Sequence, residues 1–247
     1  MNLVLVSQEE LAPGGFVSLS DERARHILLV LKAGAGATVR VGLLAGPLGL
    51  ATVVRVDGER VVLSCEFDGT RPEPPRLDVL LALPRPKVLG RLWSQLAALV
   101  VGRIVLINAA RVERCYFDSH VFSPENYRPR LIEGLQQARD TLLPEVLVRR
   151  RFRPFVEDEL NALFPAGLRL VADPAGERRI GDFFPKADDA AAPRVLLAVG
   201  PEGGWVPFEL ELLRAHGFEI AGMGRRTLRT DTACIGLLSI VAEHLRA

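Results

Sequence analysis

The chain has 247 residues, 49% hydrophobic and 25% charged, with 31 Lys+Arg against 30 Asp+Glu. This length and apolar content suffice for one large core or two smaller ones and exclude an intrinsically disordered protein. Cys65, Cys115 and Cys234 are too few and too scattered for a disulfide framework, and no apolar run has the length of a membrane span or the flanks of a signal peptide, so a reducing, cytoplasmic setting without a membrane partner is expected.

Short strands are predicted first, at 3–6, 16–19, 37–43, 50–56 and 60–67. Turn signals at 45–49 and 57–59 separate the later ones, which makes a small β-barrel the natural architecture. One helix interrupts them: Ser20 is its predicted N-cap, it runs through 21–32, and Ile27, Val30 and Leu31 stand at helical spacing. The proline-rich, charged stretch DGTRPEPPR at 68–76 has the composition of a linker. The expected division is therefore a barrel over 1–70, a linker over 71–76 and a second domain over 77–247.

Beyond the linker the pattern changes to continuous apolar runs, LDVLLAL, RIVLI, LRLVAD, VLLAVG and FEIAGMG. Such runs suit strands of a parallel sheet covered on both faces. Between the first two lies a predicted helix over 86–101, with Leu89, Leu92, Trp93, Leu96 and Val100 on one face and Lys87, Arg91 and Gln95 on another. Further helices are predicted over 125–142, 156–163, 206–216 and 231–246, and a surface loop over 187–193. The fold class is α/β. Charge is uneven along the chain: residues 1–70 carry 6 Lys+Arg against 8 Asp+Glu, residues 71–155 carry 15 against 8, and residues 156–247 carry 10 against 14. A basic middle between acidic flanks suits one phosphate-binding face, although solvated helix faces give the same totals.

Two glycine-rich loops are the candidate site. In VLLAVGPEGGW at 195–205 an apolar strand enters a loop with Gly200, Gly203 and Gly204, where backbone can approach a ligand unobstructed. Its spacing is neither a dinucleotide fingerprint nor a phosphate loop. Pro201 stiffens the turn and Glu202 adds an acceptor, although the segment taken alone reads more readily as a tight strand-to-helix turn. The second loop, GMGRRTLRTDTA at 222–233, sets Arg225, Arg226 and Arg229 beside Asp231, while Thr230, Asp231 and Thr232 are also candidates to cap the last helix. Two strand ends of this kind can wall one crevice of an open α/β sheet. His26, His120, His216 and His244 lack metal-ligand spacing, so no metal is expected.

GPEGG after an apolar strand, paired with LRTDTA before a C-terminal helix, resembles the signature of RsmE-type 16S ribosomal RNA (uracil-N3) methyltransferases of the SPOUT superfamily. RHILLVLKAGAG at 25–36 resembles that family's PUA-like barrel, LALPRPK at 81–87 its first methyltransferase strand, and LIEGLQQARDTLLPEV at 131–146 the helix after the second strand. The resemblance implies a PUA-like barrel followed by a SPOUT domain with a C-terminal trefoil knot. It also implies a homodimer, for which the last helix offers Ile235, Leu238, Val241, Ala242 and Leu245.

The implied activity is S-adenosylmethionine-dependent methylation of uridine N3 in 16S ribosomal RNA of the small ribosomal subunit. Carried over by position, Leu83, Gly200, Pro201, Glu202, Gly203, Gly204, Met223, Gly224, Leu228, Thr230, Thr232 and Ala233 surround the cofactor. Arg229 is the candidate to stabilise charge on the uracil carbonyls, and Asp231 the candidate to accept a proton or orient Arg229. Arg25, His26 and Lys32 on the barrel, with Lys87 and Arg91 on the second domain, are the candidate RNA contacts. Two departures stand out. Gln95 to Val101 replaces the family's Lys-x-x-Glu-Leu-Gly-Val-like run, and Asp231 stands where glutamate is frequent. The competing readings are a ribose 2′-O methyltransferase of the same class and an RNA-binding relative that has lost catalysis.

Overall fold

The computed structural model describes residues 2–184, 193–224 and 226–245. Two compact units form, Met1–Pro74 with Pro129–Leu143, and Pro75–Arg128 with Pro144–Ala247. Residues 129–143 thus group with the first unit, whereas the sequence reading assigns them to the second domain.

In the first unit, β1 (Val4–Val6), β2 (Phe16–Leu19), β3 (Thr38–Leu43), β4 (Leu48–Asp57) and β5 (Arg60–Phe67) pair in the order β1-β3-β4-β5-β2. β1 runs parallel to β3 and the other pairs are antiparallel. Alternation decides which side chains turn inward: Val17 and Leu19 are buried while Phe16 and Ser18 face out. The sheet curls around one core, to which all five strands contribute, including Val4, Val17, Val41, Val53 and Leu63.

The helical insert differs from its prediction. Asp21, rather than Ser20, caps α1 (Glu22–Arg25), accepting the Arg23 N–H at 2.9 Å. The next turn, His26–Val30, is π-helical, with Leu31 N–H bonded to the His26 carbonyl. Widening the turn shifts the phase of the side chains, so Ile27 is buried but Val30 and Leu31 are 63% and 48% exposed. In α3 (Pro124–Ala138) the helix also stops short of its predicted end, where Arg139 takes a left-handed φ of 61°. Thr141 then donates its hydroxyl to the Gly46 carbonyl at 2.7 Å.

The second unit holds a six-stranded, wholly parallel sheet: β6 (Leu77–Ala82), β7 (Val101–Ile107), β8 (Glu145–Arg149), β9 (Leu168–Ala172), β10 (Val195–Val199) and β11 (Phe218–Ala221). Their order is β11-β9-β10-β6-β7-β8. Every residue of β6 and β10 is buried, which is why β10 reads as an unbroken apolar run and β6 as one broken only by Asp78. β8 has no counterpart in the sequence reading. As an edge strand half-exposed along EVLVR, it needs no apolar run.

α2 (Pro86–Ala98) buries Leu89, Leu92, Trp93 and Leu96 and exposes Lys87, Arg91 and Gln95. Val100 lies beyond its end with φ 58°, so the predicted helix is cut short and β7 begins at once. After β8 come α4 (Phe152–Pro154), a π-helical turn and α5 (Leu160–Leu163), then α6 (Pro207–Ala215) and α7 (Thr230–Leu245). Leu238, Val241 and Leu245 of α7 are buried within the chain itself, while Ile235 and Ala242 stay partly exposed. Arg225 and all but the end of the predicted loop over 187–193 lie outside the described residues.

One ion pair inside this unit has a large energetic consequence. Asp78 on β6 is fully buried and accepts two bonds from Arg194, at 2.6 Å from Nε and 2.8 Å from Nη2. Burial pushes its carboxyl above the ordinary value, working against the Arg194 charge. Arg194→Met therefore leaves a buried carboxylate unpaired, and we expect unfolding in urea to show a loss of about 3 kcal/mol at neutral pH. A folded-state value that is raised means protonation favours the fold, so the loss should grow as pH rises through it and shrink in acid. A loss under about 0.5 kcal/mol, typical of an exposed pair, would contradict this.

Candidate functional site

The strand order reverses between β6 and β10, because the chain steps outward through β7 and β8 and returns on the other side with β9, β10 and β11. Open α/β sheets bind ligands at the carboxyl ends of strands near such a reversal. A cleft of about 220 Å³ lies there, at the ends of β9, β10 and β11 against α7.

β10 runs directly into Gly200, where a β-carbon would stand 3.1 Å from the Trp205 indole nitrogen. Gly204 has φ +74°, a conformation that glycine alone adopts without strain. A β-carbon on Gly203 would stand 2.9 Å from Cδ of Arg111, whose guanidinium donates to the Gly203 carbonyl. The loop is held from two further sides. Glu202 accepts the Arg85 N–H at 3.1 Å, and buried Glu209 accepts the N–H groups of Ala110 at 2.7 Å and Val206 at 3.0 Å. Segments after β6 and β7 thereby fix the loop after β10.

The opposite wall is built where the chain after β9 meets the chain after β11. Gly222 donates its N–H to the Arg178 carbonyl at 2.8 Å, and its α-carbon lies so close to the Gly176 backbone that no side chain fits. Met223 packs its methyl over Gly236 of α7, and Gly224 takes φ +107°. Ten of the twelve predicted cofactor residues line this cleft: Gly200, Pro201, Glu202, Gly203, Gly204, Met223, Gly224, Leu228, Thr230 and Ala233. The other two do not. Leu83 is buried just after β6, its N–H bonded to the Ile107 carbonyl at 2.9 Å, and Thr232 is exposed and not part of the cleft lining.

Sequence reasoning missed Asp173, Pro174 and Trp205 on the wall, and Arg111 behind it. Asp173 ends the apolar run of β9, so a third strand end was the available signal.

Asp231 is the most heavily engaged of the predicted catalytic groups. It accepts from Arg91 Nη2 at 2.8 Å and from the Thr232 N–H at 3.0 Å, and lies 3.7 Å from Arg229 Nε. Its partial burial works toward a higher value, but the Thr232 N–H, Arg91 and Arg229 more than offset it and hold the carboxyl below the ordinary range. As a proton acceptor it is correspondingly weak. α7 begins at Thr230, and the Ala233 N–H returns to the Arg229 carbonyl. The guanidinium of Arg229 stands 77% exposed at the rim. Cys234 is fully buried, its thiol pushed up to about 12, and is no nucleophile.

The predicted RNA contacts divide between the units. Arg25 pairs with Glu22 at 2.9 Å and lines a surface depression with His26, and Lys32 is exposed with φ 51°. In the second unit Lys87 is exposed, but Arg91 is committed to Asp231 rather than standing free for phosphate. Among the described residues no group of His, Cys, Asp and Glu is arranged to hold a metal ion, and no helix is long and apolar enough to cross a membrane.

A family model described as an RNA methyltransferase domain matches residues 71–242. The ribosomal RNA small subunit methyltransferase E of Treponema pallidum is 32% identical over 256 residues, covering 100% of this chain and 92% of that protein. The chain belongs to this RsmE-type RNA methyltransferase family. A second relative, ribosomal RNA small subunit methyltransferase E 1 of Borreliella burgdorferi, is 25% identical over 99% of both chains. The fold is shared with the Neisseria gonorrhoeae ribosomal RNA small subunit methyltransferase E, solved bound to S-adenosyl methionine, at a TM-score of 0.74 and 20% identity over 98% of this chain and 97% of that one. The span matched by the methyltransferase family contains every residue that lines the cleft.

Proposed function

We propose that this protein transfers a methyl group from S-adenosylmethionine to N3 of a uridine in 16S ribosomal RNA of the small subunit. The observation that carries this reading is the cleft itself: two glycine loops at the ends of β10 and β11, which flank β9, with Arg229 at its rim. The lining suits the cofactor. Val199, Ala221, Leu228 and Leu237 give apolar walls for an adenine ring, and Asp173 and Glu202 outnumber Arg226, as a ligand carrying ammonium and sulfonium charges requires. When bound, the cofactor supplies an electrophilic methyl on its sulfonium.

The protein's own groups do the rest. Uridine N3 carries a proton and lies on the pairing edge, so the base must be unpaired and negative charge must develop on the ring as that proton leaves. Arg229 stabilises that charge on the uracil carbonyls. Asp231, held by Arg91 beside Arg229, orients that guanidinium across the rim or accepts the N3 proton. This arrangement also accommodates one of the two departures from the family pattern, since the shorter carboxylate of Asp231 meets a long arginine from α2.

The same reading extends to architecture. The curled sheet of the first unit is a PUA-like RNA-binding barrel, the division runs 1–70, 71–76 and 77–247, and the chain after β9 and β11 forms a trefoil knot. The close backbone passage of Gly176 and Gly222 supports the last point. The working form is a cytoplasmic homodimer joined through the second domain, with Ile235 and Ala242 among the side chains left for a partner. We expect light scattering at micromolar protein to give twice the chain mass; a monomeric mass with full activity would refute the dimer. Methyl transfer to a 16S ribosomal RNA transcript or to small subunits, followed by nucleoside digestion, tests the chemistry. The product expected is N3-methyluridine, and a ribose methyl would favour the 2′-O reading.

A further inference from the structure

The second unit carries a run of arginines that the site above does not use, RRRFR at 149–153, where β8 leaves the sheet. Arg149 and Arg153 are neutralised by Glu159 at 2.6 Å and Glu157 at 2.8 Å. Arg150 folds over the Phe117 ring at 5.2 Å and donates to the Phe117 carbonyl, which brings it beside Arg114 in the turn Arg114–Asp118. Arg114 and Arg151 are both exposed, and neither side chain has an ion-pair or hydrogen-bond partner among the described residues. Two free cations on exposed loops are costly to leave unpaired only if buried, so they say nothing about stability.

Their position is what matters. Phe152, between Arg151 and Arg153, rests its ring against Trp205 at a centroid distance of 5.8 Å, and Trp205 lines the cleft. Arg111, three residues before Arg114, bonds the Gly203 carbonyl of the same wall. The arginine segment is therefore pinned to the GPEGG side of the cleft by the Phe152–Trp205 contact, and the loop that carries Arg114 is pinned there by the Arg111 side chain.

From this we propose that Arg114, Arg150 and Arg151 form a phosphate-binding ridge. It takes the single-stranded RNA backbone flanking the target base and leads that strand across the Gly203–Trp205 wall to the cleft. The inference rests on the RNA-methyltransferase reading for the identity of the polyanion. Backbone phosphates spaced along an extended strand suit cations distributed over two neighbouring loops, and arginine engages phosphate with two parallel hydrogen bonds. An acidic ribosomal protein is the other partner such charges could meet, but nothing requires a protein surface to reach the cleft, whereas the substrate strand must.

Arg114→Gln and Arg151→Gln break no side-chain hydrogen bond or ion pair among the described residues, so their effects report on the partner. Binding of a 16S ribosomal RNA transcript should weaken, and the slope of log affinity against log salt should become shallower by about 0.7 for each arginine removed. KM for RNA should rise with turnover at saturating RNA unchanged, S-adenosylmethionine affinity by calorimetry should not move, and lysine at either position, which keeps the charge but not the paired hydrogen bonds, should restore the salt slope and only part of the affinity. Unchanged KM and salt slope in the double variant, beside a wild type that methylates the transcript, would overturn the ridge. So would a loss seen on small subunits but not on bare RNA, which would indicate a protein contact. A wild type that binds the RNA through these arginines yet transfers no methyl would instead leave the ridge standing and sink the proposed reaction.

Discussion

Arg229→Ala should slow single-turnover methyl transfer roughly 100- to 1000-fold while leaving the affinities for S-adenosylmethionine and RNA within a few-fold of wild type. The reason is differential: the interaction strengthens only as negative charge builds on the uracil carbonyls, so its loss is felt in the transition state and not in the ground state. In the free protein the Arg229 guanidinium is 77% exposed and well solvated. A base placed over the rim would displace that water, and the same charge would then act in a medium of lower dielectric. Should Arg229 only anchor a phosphate, RNA affinity would fall, its salt slope would lose about 0.7, and the rate at saturation would stay near wild type.

Gly203→Val should bring S-adenosylmethionine binding below what calorimetry detects while the first unit, with its own core, keeps its fold. Gly203 faces Arg111, not open space, and a β-carbon there meets Cδ at 2.9 Å. Valine adds two further carbons in the same direction, so Arg111 must leave the Gly203 carbonyl or the loop must move. Either change displaces the backbone that forms the cleft wall. The double variant Gly203→Val/Arg111→Ala separates crowding from direct obstruction: partial recovery points to Arg111, and no recovery to the ligand. Unchanged affinity in a folded Gly203→Val protein would move the cofactor away from this loop.

Much of this architecture is legible in the sequence because burial leaves a periodic trace. Alternation marks β2 to β5, and apolar runs, broken in β6 only by Asp78, mark β6 and β10 at the centre of the parallel sheet. The trace fails where burial is partial. β8 at the edge carries a half-exposed EVLVR, and the π-helical turn at His26–Val30 moves Val30 and Leu31 outward although their spacing reads as a buried face.

For the site, glycine was the dependable signal, since Gly200, Gly203 and Gly204 stand where the backbone is crowded or takes positive φ. Long-range pairing left no local mark. Arg91 and Asp231 lie 140 positions apart, and nothing in either segment announces that a residue read as a phosphate contact would hold a residue read as a base. Leu83, carried over from a resemblance, is buried after β6 and does not line the cleft.

The central claim, methylation of uridine N3 in 16S ribosomal RNA by residues of this cleft, is tested most directly by mapping modified nucleosides in that RNA. The comparison is between cells with the protein, cells without it, and cells carrying Arg229→Ala. The account predicts one N3-methyluridine that is present with the wild-type protein, absent without it and strongly reduced with the variant. An identical modification map in all three, or a protein-dependent methyl on ribose, would contradict it.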